Sequence, residues 1–183
     1  MTGALRSGHA VRAATPRDAE AIARVYVETW RAAYPGMLAD HVLVGMSEDR
    51  QRAYWHSVLV GRRDVVHVAE AADAVVGFAA AGAARPFLPE AKGEVYTLYV
   101  LPDHQNRGLG RALLASSWAA LAQRALVPMA VWVLAANPAR FFYERLGGAR
   151  AAERDSALSG VAHRERGYLW RMAPCSGGDG SAI

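Results

Sequence analysis

One stretch restricts this chain more than any other: "LYVLPDHQNRGLGRALL" at 98–114. A β-branched and aromatic run stops at Pro102, a short polar turn follows, and an apolar helical period begins almost at once. So tight a corner presents a helix N-terminus. Its first amides have no partner within the helix, and its dipole favours negative charge. Gly108 and Gly110 let those amides approach a bulky anion with no Cβ in the way. Arg107 and Arg111 add positive charge, and Gln105 either contributes a donor or holds the turn. A phosphate or pyrophosphate is the simplest ligand. The competing reading is that the two glycines only turn the chain.

Several better-known phosphate loops are excluded. A Walker A loop needs GxxxxGK followed by Ser or Thr, and the single lysine, Lys92, is not in such a context. A dinucleotide fingerprint needs a third small residue where Leu113 stands. Hydrolase and metal chemistry lack their signatures too: there is no GxSxG, no HExxH, and Cys175 is the only cysteine. No metal is expected. A net charge of +4 is mild, and no arginine cluster interleaves with aromatics, so nucleic acid is not an expected partner. No run approaches roughly eighteen uncharged apolar residues, so no membrane span is expected. One cysteine and no hydrophobic leader make a cytoplasmic protein the default.

The remaining pattern predicts one α/β domain over 10–173, between a loose arm at 1–9 and a loose tail at 174–183. "VRA" at 11–13 is a short strand. "TPRD" starts a helix through a capping box with Pro16 in the first turn. Ile22, Val25, Tyr26, Thr29 and Trp30 follow at helical spacing, until "YPGM" breaks the helix. A second helix is predicted from Ser47 to Val60. "DVVHVAEA" and "AVVGFAAAG" form an antiparallel hairpin, and "GEVYTLYV" is a further strand. A helix over 108–126, a strand over 127–134, a helix from Asn137 to the stop at Gly147, and closing strands "ARAAE" and "RERGYLWRM" complete the order.

"QNRGLG" resembles the Q/R-x-x-G-x-G/A signature of the GNAT superfamily of N-acetyltransferases. "VLAANPARFFYERLGG" at 133–148 resembles that family's later segment, through Phe142, Tyr143, Glu144, Leu146 and Gly147. The likeness spans about 11–173. It departs in two places: Asn137 is six residues before the tyrosine rather than seven, and Gly148 replaces a common phenylalanine. The resemblance implies a single-domain GNAT fold, with a mixed, mostly antiparallel sheet of about seven strands and flanking helices. It implies acetyl-CoA as cofactor and acetyl transfer to a primary amine by direct attack in a ternary complex. A small-molecule amine is the expected acceptor. The alternatives are a protein or peptide amine, or a module that binds acyl-CoA without turnover.

The same resemblance implies roles for individual residues. The amides of Arg107, Gly108, Leu109, Gly110 and Arg111 would hold the pyrophosphate, with Gln105 at the first signature position. Asn137 would touch the cofactor, though the changed spacing leaves that contact open. A strand bulge would part 94–100 from 128–134, and the freed backbone of Leu98, Tyr99 and Val100 would meet the pantetheine arm and the thioester. Tyr143 would protonate the leaving thiolate. Glu94 is the candidate general base by position, against a plain solvent-facing carboxylate at a strand start. Trp30 and Tyr34 would line the acceptor pocket, although Trp30 is also in phase with the core side of its helix. A homodimer is the first expectation for assembly.

Overall fold

The computed structural model describes residues 8–37, 40–158 and 161–175. The expected arm and tail therefore lie mostly outside the described residues. Where they are described, both join the fold. His9 begins the first strand, and the backbone N–H of Cys175 donates to the carbonyl of Leu146 at 3.1 Å.

Seven strands form one sheet in the order β1-β2-β3-β4-β5-β7-β6. The strands are β1 (His9–Ala13), β2 (Val65–Ala71), β3 (Ala74–Ala83), β4 (Gly93–Val100), β5 (Met129–Leu134), β6 (Ala149–Leu158) and β7 (Val161–Trp170). Every pairing is antiparallel except β4 with β5. The helices are α1 (Ala19–Ala33), α2 (Asp40–Val44), α3 (Glu48–Gly61), α4 (Leu109–Gln123) and α5 (Arg140–Arg145). α2 is a short helix that the sequence pattern does not announce.

The local signals explain the starts. Asp18 accepts from the Thr15 N–H at 2.7 Å and from its hydroxyl at 3.0 Å, closing the turn before α1. Arg12 of β1 grips the same carboxylate with two 2.8 Å bonds, tying helix to sheet. This pairing holds Asp18 low, at about 2. Ser47 caps α3 by accepting from the Arg50 N–H.

Two large apolar clusters fill the layers, and a small one of Leu88, Ala130 and Leu169 adds to them. Ile22 and Val25 of α1 meet Trp55 and Leu59 of α3 over Val68 and Phe78 of the sheet. Leu114 and Leu121 of α4 pack with Val95, Met129, Tyr168 and Trp170. Each such side chain contributes about 1.5–3 kcal/mol when fully buried. β3, at the middle of the first half, is buried at every position but its two ends.

The structure corrects the closing strands, expected at 149–153 and 164–172. They form one long hairpin instead. Its outer half carries charge rather than apolar alternation. Arg154–Glu165, Glu153–Arg166 and Asp155–Arg164 pair across the ladder at 2.6, 2.9 and 3.2 Å. Cross-strand ion pairs can hold strands together without leaving the hydrophobic period that marks a strand in sequence.

Candidate active site

The site begins at an irregularity in β4. Thr97 pairs with Ala80 and Val95 with Ala81, so Tyr96 is an extra residue in the ladder. β5 follows β4 only through Gly93↔Met129, Glu94↔Ala130 and Val95↔Val131. Beyond Val95 the two strands part. Groups of β4 that point toward β5 then have no strand partner along Leu98, Tyr99 and Val100. A cavity of 660 Å³ occupies the gap, and these three residues line it together with Val131 and Val133.

One end of the cavity is the start of α4. Gly108 sits at φ +84°, the left-handed region in which a side chain is strained. A Cβ on Gly110 would press on the Phe142 ring at 3.3 Å, so the helix start is packed close to α5. The amides of Arg107, Gly108, Leu109 and Gly110 donate to no acceptor among the described residues. Free amides at a helix N-terminus suit an anion, and the residues present fit a pyrophosphate. Gln105 holds the turn: its Nε2 donates to the Val100 carbonyl at 3.0 Å. Gly108, Gly110, Arg111 and Gln105 line the cavity, whereas Leu109 turns its side chain into the core and Arg107 is exposed. Those two positions bring backbone, not side chains, to the site.

The other wall is α5 and its approach. Asn137 lines the cavity, and its Oδ1 accepts from the Ala139 N–H at 2.9 Å, shaping the turn into the helix. Tyr143 is buried against Phe142, Tyr168 and Trp170, and it faces the same cavity. Two contacts from β7 locate it. The Tyr168 hydroxyl donates to Glu144 Oε1 at 2.6 Å, and Trp170 Nε1 donates to the Leu146 carbonyl at 2.9 Å. Among the described residues the Tyr143 hydroxyl has no partner. Burial raises its pKa, and the nearby Tyr34 adds to this, so the phenol stays protonated throughout the neutral range.

Tyr34 reaches the cavity from the end of α1, but Trp30 does not line it. This corrects the expectation for Trp30. Its ring lies between Tyr26 at 5.2 Å and Tyr34 at 4.8 Å, so it braces Tyr34 from behind. Burial raises the pKa of Tyr34, while the Tyr99 hydroxyl and the Asn137 side chain pull it back down. Thr29 and Ala33 line the cavity on the same side. The sequence signal for Thr29 is a polar residue in phase with Ile22 and Val25, and its buried hydroxyl has no partner.

Glu94 needs the larger correction. It is neither a free base nor a solvent-facing carboxylate. It is 0% exposed and absent from the cavity wall. Arg85 occupies it completely: its N–H donates to Oε2 at 3.0 Å, and Nε and Nη2 donate to Oε1, the former at 2.9 Å. The guanidinium in turn packs over Phe87 and Tyr96. A carboxylate committed to three donors is poorly placed to take a proton from a substrate. The signal for this pairing, an arginine nine residues upstream, is too distant in sequence to read.

Comparison with known proteins places this geometry. Residues 62–147 match the acetyltransferase (GNAT) domain family. A protein named the uncharacterized N-acetyltransferase YuaI, from Bacillus subtilis (strain 168), is 32% identical over 160 residues, which cover 87% of this chain and 91% of that one. This chain belongs to the GNAT family. It is an acetyl-CoA-dependent N-acetyltransferase. The fold agrees with solved GNAT structures. The GCN5-related N-acetyltransferase from Rhodopseudomonas palustris superposes with a TM-score of 0.71 at 20% identity, covering 94% of this chain and 100% of that one. YncA from Salmonella typhimurium, solved with its cofactor acetyl-CoA, superposes with a TM-score of 0.69 at 22% identity, covering 95% and 99%. Among the described residues no helix is long and apolar enough to cross a membrane.

Proposed function

We propose that this GNAT enzyme acetylates a primary amine of a small molecule, by direct attack in a ternary complex. The observation that carries the proposal is the single cavity through the β4–β5 gap. It joins the α4 cradle, the open edge of β4, Tyr143 and the Tyr34 wall in one space of 660 Å³. That volume is in the range of small-ligand sites. Because the cofactor arm takes part of it, little remains for an acceptor.

Acetyl-CoA supplies an acetyl group activated as a thioester. The chain does the rest through position and charge. The amides of Arg107, Gly108, Leu109 and Gly110, with Arg111, hold the pyrophosphate at the start of α4. The edge groups of Leu98, Tyr99 and Val100 pair with the pantetheine arm as an added strand would. A backbone N–H beside the bulge donates to the carbonyl oxygen, where negative charge grows during attack. Tyr143 donates its proton to the departing sulfur, a role suited to a phenol that burial keeps neutral. Asn137 shapes the α5 turn and presents its amide to Tyr34. The surplus proton of the amine passes to solvent water, since Glu94 is committed to Arg85.

The test is coenzyme A release from acetyl-CoA with a panel of small primary amines, beside peptides carrying a free N-terminus or a lysine. Small amines are expected to give the higher kcat/KM. Peptides turned over faster than every small amine would overturn the reading.

A further inference from the structure

A second, smaller pocket of 230 Å³ lies between α1, α3 and β4, outside the site described above. It shares part of its lining with the main cavity. Tyr96 and Thr97, the bulge residues, line both spaces. Anything held in the small pocket therefore sits against the point where the strands part.

The polar groups of this pocket gather around Asp64, beside the Gln51 amide and the Trp55 Nε1–H, which is unpartnered among the described residues. Asp64, just before β2, is half-buried and has no hydrogen bond or ion pair among the described residues. Tyr96 has spent its proton on the Ala83 carbonyl at 2.6 Å, so its oxygen can only accept. The Thr97 hydroxyl is buried with no partner. A Cβ built on Gly82 would lie 2.6 Å from Asp64 Oδ1 and 2.7 Å from the Tyr96 hydroxyl oxygen. Two acceptor oxygens thus converge over the one neighbour that has no side chain. The rings of Tyr26, Tyr54 and Trp55, with Gln51 and Ala80, supply the rest of the wall.

Acceptor oxygens around a lone carboxylate, framed by aromatic faces, are the complement of an ammonium group with an apolar stem. Arg63 and Arg124 also act on Asp64, but neither is within ion-pair distance. Both are exposed, and Arg124 Nη1 donates to the Arg63 carbonyl at 3.0 Å. Burial raises the pKa of Asp64, a cost that a bound cation would offset.

We propose that the acceptor is a diamine: the Asp64 pocket holds one end as an ammonium, and the other end, as a neutral amine, reaches past Tyr96 and Thr97 into the cofactor cavity. This rests on the small-amine reading and names the class of amine. It gives a boundary between substrates, since a monoamine of equal length leaves the carboxylate unpaired.

The experiment compares diaminobutane with butylamine. In coenzyme A release, the wild-type enzyme should favour the diamine in kcat/KM by at least about tenfold. Asp64→Asn, which keeps the shape and removes the charge, should collapse that ratio toward one through the KM for the diamine. Calorimetry of diaminobutane with the enzyme saturated in coenzyme A should show binding that Asp64→Asn loses. Equal kcat/KM for the two amines, or a preference that survives Asp64→Asn, would overturn the diamine inference. If acetyl-CoA binds but neither amine releases coenzyme A, the diamine inference is overturned as a statement about the acceptor, while the small-amine reading stands or falls with the wider amine and peptide panel. The calorimetric comparison then still decides the pocket: binding lost in Asp64→Asn keeps it, and no binding or unchanged binding removes it.

Discussion

The two ends of β4 differ in what borders them. At Gly93, Glu94 and Val95 the strand has β3 on one side and β5 on the other, and its carboxylate is sealed under Arg85. From Tyr96 onward it keeps β3 and loses β5, and every residue to Val100 faces the cavity. A single inserted residue separates the two. One strand thus supplies both a closed, anchored end and an open edge, and position along it decides which. A carboxylate on the closed side belongs to the fold, whereas backbone on the open side is free for a ligand.

That contrast can be tested from both ends. The largest effect belongs to the open side. Tyr143→Phe should lower kcat on the order of 100-fold while the affinity for acetyl-CoA stays near that of the wild type. Single-turnover kinetics with a cofactor titration would separate the two. An unchanged kcat across the pH range would remove the acid role.

Glu94→Gln probes the closed side. It should cost about 1–3 kcal/mol of stability, less than a fully buried pair because Arg85 is half-exposed. The pH profile of kcat should keep its wild-type shape. Loss of an ionisation from that profile would return Glu94 to the mechanism and erase the distinction.

A smaller and more diffuse effect follows from the tyrosines around the open end. Burial raises the pKa of Tyr26, Tyr34, Tyr99 and Tyr143, and raises Tyr96 to about 12. Each folded-state value lies above its unfolded one, so their contribution is intact below about pH 10 and is lost as pH rises through the folded values. Melting temperature should hold to about that pH and then fall. Tyr143→Phe should soften the fall slightly, and a flat profile would mean that the tyrosines ionise freely.

Much of this was legible before the structure. The α4 cradle and the α5 segment are written locally: glycines, a proline and a capping asparagine act within a turn or two of themselves, so short windows reveal them. The parting of β4 from β5 needed the family resemblance, because the bulge at Tyr96 has no mark of its own in "GEVYTLYV". The state of Glu94 is not legible in sequence, because its environment comes from Arg85, brought back by a loop. Trp30 was in phase with both core and pocket, and only packing against Tyr26 and Tyr34 resolves it. The full length of the β6–β7 hairpin is hidden in sequence because ion pairs take the place of apolar alternation. Asp64 carried no signal at all, since its meaning depends on Gly82 and Tyr96 across the sheet.

The central claim is that the turn before α4 and the open edge of β4 together form the acetyl-CoA site. Calorimetric titration with coenzyme A tests it most directly, on the wild type, Gly108→Val and Glu94→Gln. The account predicts one-to-one binding to the wild type. Gly108→Val should weaken it at least about tenfold, by placing a β-branched side chain at φ +84° in the cradle. Glu94→Gln should bind as the wild type does. Undiminished binding to a folded Gly108→Val protein, or an equal loss in Glu94→Gln, would contradict it.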